Sequence, residues 1–214
     1  MEHFLSYLAA IWRGVQFWRR PEPLERADQL AAFCFQRSAF IAQTTLYGYL
    51  RTRAGLQHFN LFTDPKFTAL LRPARSRLIL VCLDDLAIYA AAQLGPQTAA
   101  EPAHMRQLAD YIFAQGCRQL ADQGHDLELP AQALAQARAD FTAHLALVDW
   151  AARHGTAAFE KSPRALIELA PIVDELKAYD SEIVVNSMRF KWQAIRAELT
   201  QRLNAQAVLS GGGF

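Results

Sequence analysis

Cysteine, glycine and surplus charge are all scarce in this 214-residue chain, and each shortage excludes a class of protein. The three cysteines, Cys34, Cys82 and Cys117, are too few and too scattered for a disulfide framework or a zinc knuckle. Lys+Arg is 22 and Asp+Glu is 21, so the chain is not a polycation built for nucleic acid. The ten glycines form neither a phosphate loop nor a dinucleotide fingerprint, since Gly211, Gly212 and Gly213 sit in the tail with no strand before them. No serine stands in a Gly-x-Ser-x-Gly elbow, and no alternating run supplies the sheet such an elbow needs. Neither an internal repeat nor a glycine- or serine-rich linker divides the chain.

Membrane and export signals are also thin. Glu2 and the pair Trp12-Arg13 interrupt what a secretory leader would keep basic and then apolar. Residues 30–50 and 78–94 are apolar enough to test as spans. The first contains Arg37 and the second contains Asp84 and Asp85, each costing about 2.5–3.5 kcal/mol at mid-bilayer. Both are expected to be buried helices of a cytoplasmic bundle, where thiols stay reduced.

What is abundant is alanine, 38 residues, within a composition that is 52% hydrophobic. Alanine favours helices and is poor in strands, so the expected fold is all-α, a single-domain bundle of six to eight helices. Residues 1–20 are expected as a basic, aromatic amphipathic helix that is peripheral to the bundle, residues 24–204 as the bundle and 205–214 as a loose tail. The spacing predicts a central helix from Leu24 to Gly55 and a loop through His58 and Asn60. A further helix starts at Asp64-Pro65, is kinked or split at Pro73 and ends at Gly95-Pro96. Two more span about 103–123 and 130–153. Short helices open at Ser162-Pro163 and at Ile172, and a last one is capped by Asp180 or Ser181. Val184, Met188, Trp192, Ile195, Leu199 and Leu203 mark its core side.

Two groups of residues are candidates for function. In residues 1–20, Phe4, Tyr7, Leu8, Ile11, Trp12, Val15 and Trp18 recur at spacings of three and four beside Arg13, Arg19 and Arg20. This is the pattern of a helix that lies in a membrane interface or docks into a partner's groove. Residues 1–80 carry a charge of +6 and residues 81–214 carry −5, consistent with a basic N-terminal face. The second group is a polar pocket between the two central helices, drawn from Arg37, Tyr47, Tyr49, Arg51, Asp84 and Asp85, with Arg37 or Arg51 as the expected partner of a buried aspartate.

Weaker patterns have structural readings. Glu101-x-x-His104 matches a di-iron spelling but occurs once, at a helix start, so no metal or other cofactor is expected. Asp140 and His144 stand four apart and are expected to pair on one helix face. Arg72, Arg75 and Arg77 form a short basic patch, expected to be solvated.

Three stretches carry a resemblance: Phe17-Trp-Arg-Arg-Pro-Glu-Pro-Leu-Glu-Arg-Ala27, Ala42-Gln-Thr-Thr-Leu-Tyr-Gly-Tyr-Leu-Arg-Thr-Arg-Ala-Gly55 and Glu182-Ile-Val-Val-Asn-Ser-Met-Arg-Phe-Lys-Trp192. Together they resemble a family of short, helical, uncharacterised bacterial proteins sometimes labelled "esterase". The resemblance implies a helical fold and supplies no catalytic motif to carry over. Three functions are therefore expected in order. The first is a non-enzymatic interaction, assembly or adaptor protein that binds a protein partner or an anionic membrane surface through residues 1–20. The second is a small-molecule binder or esterase-like enzyme with a pocket near Asp84 and Asp85. The third is a subunit of a homo-oligomer.

Overall fold

The computed structural model describes residues 22–98, 100–122, 129–153, 155 and 158–214. The amphipathic segment 1–20 lies outside the described residues. What is described is all-α. Seven helices have seven residues or more, α1 (Ala27–Ala54), α3 (Pro65–Ala92), α5 (Pro102–Asp122), α6 (Ala131–Ala146), α7 (Lys161–Leu169), α8 (Asp174–Arg202) and α9 (Ala205–Gly211). The shorter α2 (His58–Thr63) and α4 (Leu94–Thr98) join them. The expected fold class is thus observed.

Helices α1, α3 and α5 pack against one another, and α7 and α8 close over α3 and α1. Their shared core includes Leu30, Cys34, Ile41, Leu78, Leu83, Leu86, Ile112 and Phe113. α6 covers α5, where the Phe113 and Phe141 rings stack at 4.0 Å and 9°, worth about 0.5–1.5 kcal/mol beyond their buried area. The chain is closed on itself at α1 and α8. Leu24 N–H donates to the Arg202 carbonyl at 2.8 Å, and Asn204 N–H donates to Leu24 at 3.0 Å. The stretch Pro65–Thr98 is long and apolar enough to cross a membrane, yet 83% of its most apolar window is buried inside the protein.

Several boundaries differ from expectation, each for a local reason. Asp64 does cap α3, accepting from Lys66 N–H at 2.9 Å, but Pro73 does not divide the helix. The carbonyl that proline strands, four residues back, belongs to exposed Ala69, where water can take the bond. The near-complete burial of 78–92 holds the rest. α6 stops at Ala146 rather than near Arg153, because Asp149 accepts from Ala151 N–H at 3.1 Å and starts a 3-10 turn that buries Trp150. The segment from Ile172 and the last helix are one helix, since nothing between Asp174 and Arg202 breaks it. Asp180 is therefore an interior residue and not a cap. The expected loose tail is helical to Gly211, started by Asn204 accepting from Ala207 N–H at 3.2 Å and held by buried Ala205 and Val208.

Candidate functional site

Two places collect polar side chains. The first lies where α3, α6 and α7 meet. Adjacent residues on a helix point about 100° apart, so Asp84 and Asp85 look in different directions from α3, and both are buried. Asp84 accepts from His144 Nδ1 at 2.8 Å and from Lys161 Nζ, binding α6 and α7 to the central helix. Asp85 accepts from the Ser162 backbone N–H at 2.8 Å. Trp192 Nε1–H on α8 donates to Ser162 Oγ at 3.0 Å. Burial pushes the Asp85 carboxyl up to about 7, against the opposing pull of the Ser162 hydrogen bonds. Burial likewise raises the Cys82 and Cys34 thiols, and it pushes Cys117 up to about 11, so none is held as a reactive thiolate.

Chemically this is a clamp. One carboxylate accepts from the His144 ring and the Lys161 ammonium, and the other caps the start of α7. His144 is held by a carboxylate as a general base would be. However, Ser162, the nearby hydroxyl, is fully buried and bonded to Trp192, so it cannot meet a substrate. No group of three or more potential metal ligands forms among the described residues.

The second place is a cleft of about 340 Å³ between α1 and α8. Its α1 wall is Thr44, Thr45, Gly48, Tyr49, Thr52 and Arg53. Tyr49 and Arg53, one turn apart, both reach Asp180. The tyrosine hydroxyl donates at 2.9 Å and the guanidinium makes a two-pronged ion pair. Arg53 holds the Asp180 carboxyl below the usual carboxylate range. The α8 wall adds Val184, Ser187 and Lys191. Partial burial lowers the Lys191 ammonium, and no acidic side chain pairs with it among the described residues.

Two glycines show how differently these regions are built. Gly116 on α5 faces Leu83, and a Cβ there would lie 2.2 Å from Leu83 Cδ2, so any larger residue would force that buried side chain to shift. A Cβ on Gly48 would meet nothing within 4 Å. A glycine inside a helix costs about 0.8–1.0 kcal/mol relative to alanine. At Gly48 that cost leaves open space in the cleft.

The expected pocket of Arg37, Tyr47, Tyr49, Arg51, Asp84 and Asp85 is not assembled. Arg37 and Arg51 are fourteen residues apart, about 21 Å along a helix, and cannot converge on one aspartate pair. Arg37 pairs instead with Glu198 on α8 at 2.5 Å, Tyr47 packs against Phe62, Tyr49 joins Asp180, and Arg51 is exposed. The partners of Asp84 are His144 and Lys161, neither of the arginines. The expected Asp140–His144 pair is also corrected. Asp140 accepts from Gln136 Nε2 at 2.8 Å, while His144 turns inward to Asp84. Glu101 and His104 are exposed at the start of α5. The ten candidates in residues 1–20, Phe4 to Arg20, lie outside the described residues.

Sequence reasoning missed Lys161, Ser162, Arg53, Asp180, Ser187 and Lys191. The pairs Tyr49 and Arg53, and Ser187 and Lys191, each one turn apart, were local signals for the cleft. Compared with known protein families, curated proteins and solved structures, the chain matches none.

Proposed function

We propose that this protein is a non-enzymatic interaction protein, an adaptor or assembly factor, with two contact surfaces. One is the amphipathic segment 1–20, read from its sequence as a helix for a protein partner or for the inner face of an anionic membrane. The other is the outer face of α8. The observation that carries the reading is the exposure of Leu176, Tyr179, Ile183 and Phe190, the last three at 83%, 73% and 72%. Tyr179, Ile183 and Phe190 are separated by four and seven residues, so they form one stripe on one helix. Large apolar groups that remain in contiguous exposure mark an interaction surface. Glu175 and Glu182 flank the stripe on one edge, so it fits a partner helix with an apolar stripe and a basic edge. The working location is the cytoplasm, peripheral to the membrane.

The esterase reading gains some support from His144 held by Asp84. Among the described residues it lacks a free hydroxyl or thiolate nucleophile beside that histidine, since Ser162 is bonded elsewhere and the thiols are raised. Capture from native membranes and cytosol with the full chain tests the reading against Ile183→Asp/Phe190→Asp and a chain lacking residues 1–20. One defined partner, or binding to anionic vesicles, should be lost in a variant that keeps its helical circular dichroism. The same proteins retained by all three chains would overturn the reading. Light scattering that reports a dimer dissociated by Ile183→Asp/Phe190→Asp would replace the partner with a second copy.

A further inference from the structure

The cleft between α1 and α8 borders that stripe, since Ile183 lines it, but its charged end stands on other residues. We infer that it is a binding site for a small amphiphilic carboxylate, held at its charged end by Lys191 and Ser187. The first argument is volume. About 340 Å³ is roughly eleven water volumes and falls at the small end of ligand sites. Gly48 keeps that space open without any packing need for a glycine, since no atom lies within 4 Å of the missing Cβ.

The second argument is charge. The charges of Arg53 and Asp180 compensate one another, and the Tyr49 hydroxyl donates to the same carboxylate. That leaves Lys191, among the described residues, as the cation of the lining with no acid beside it, and its partial burial disfavours the lone charge. A bound anion would supply the missing partner. A second cation would be repelled, and a dianionic phosphate would find only one uncompensated charge.

The third argument is the division of hydrogen-bonding capacity. Thr44, Thr45 and Thr52 donate their hydroxyls to the carbonyls of Phe40, Ile41 and Gly48 at 2.8, 2.6 and 2.9 Å. Their hydroxyl hydrogens are therefore spent on the helix backbone rather than offered to the cleft. Ser187 and Lys191, one turn apart on α8, place a hydroxyl and an ammonium together on one side, beside the N–H groups that Arg53 does not spend on Asp180. Buried Leu166 and Val184 complete an apolar wall. A charged head against α8 and a short hydrocarbon body over Gly48 match that division.

Calorimetric titration of the full chain with octanoate, octanol, octylammonium and inorganic phosphate tests the site. Octanoate should saturate one site, and Lys191→Met should weaken it at least tenfold while leaving octanol unchanged. Octylammonium should not bind. Gly48→Leu should fill the cleft and abolish octanoate binding without lowering the melting temperature, which separates occlusion from unfolding. The inference is overturned by octanoate that fails to bind at millimolar concentration, by equal affinity for Lys191→Met, by undiminished binding to Gly48→Leu, or by phosphate that displaces octanoate at equal concentration.

Discussion

Lys191 and Trp192 are neighbours on α8, yet they belong to opposite kinds of structure. Trp192 is sunk between Ser162 and the Phe159 ring, 4.6 Å away, with its indole N–H bonded to Ser162 Oγ. Lys191 lines an open cleft and has no acidic partner among the described residues. The same division separates Gly116, which Leu83 crowds, from Gly48, which nothing crowds. The first region is close-packed and closed. The second gives up stability at one helix position and leaves a cation uncompensated, as binding sites do.

The largest effect expected from breaking this contrast is Trp192→Ala. Removing a fully buried indole should cost about 3–5 kcal/mol by urea unfolding. Lys191→Ala next to it should change stability by less than about 0.5 kcal/mol. Similar losses at the two positions would erase the distinction.

The next effect is a pH dependence. The folded carboxyl of Asp85 sits near 7, above its usual value of 3.8. Between those values the native state holds a proton that the unfolded chain has released. Stability is therefore full below about pH 4, falls as pH rises through 7 and then levels, by up to about 4 kcal/mol. Asp85→Asn cannot titrate and should flatten that slope relative to wild type. Denaturation midpoints at pH 4.5 and 7.5 measure it, and parallel curves for the two proteins would count against a buried, protonated Asp85.

Smaller still is the pair of glycines. Gly116→Ala should destabilise by about 1–3 kcal/mol through overpacking against Leu83. Gly48→Ala, with open space around it, should stabilise by about 0.5–1 kcal/mol. Opposite signs in thermal melts would sharpen the comparison, while equal signs would show that the cleft is packed in solution.

Much of the fold was legible in the residues. The Asp64-Pro65 helix start, the central positions of α1 and α3, and the buried face from Val184 to Leu203 all follow from local chemistry and periodicity. The errors arose where tertiary packing overrode a local signal. Pro73 reads as a breaker but lies in a helix anchored by the core beyond it. Asp180 reads as a cap but is claimed by α1. The pairing of Asp84 with His144 and Lys161 bridges 60 and 77 residues, and no spacing rule reaches that far.

Composition and periodicity by themselves determined that the chain is helical and which helices are central, because propensity and the 3.6-residue repeat act within a few turns. Only the tertiary structure decided which cation faces which carboxylate, where a glycine opens space and which apolar residues of α8 face outward. Those depend on helices far apart in the chain meeting side by side, and charge and volume there are balanced across the contact rather than along the sequence.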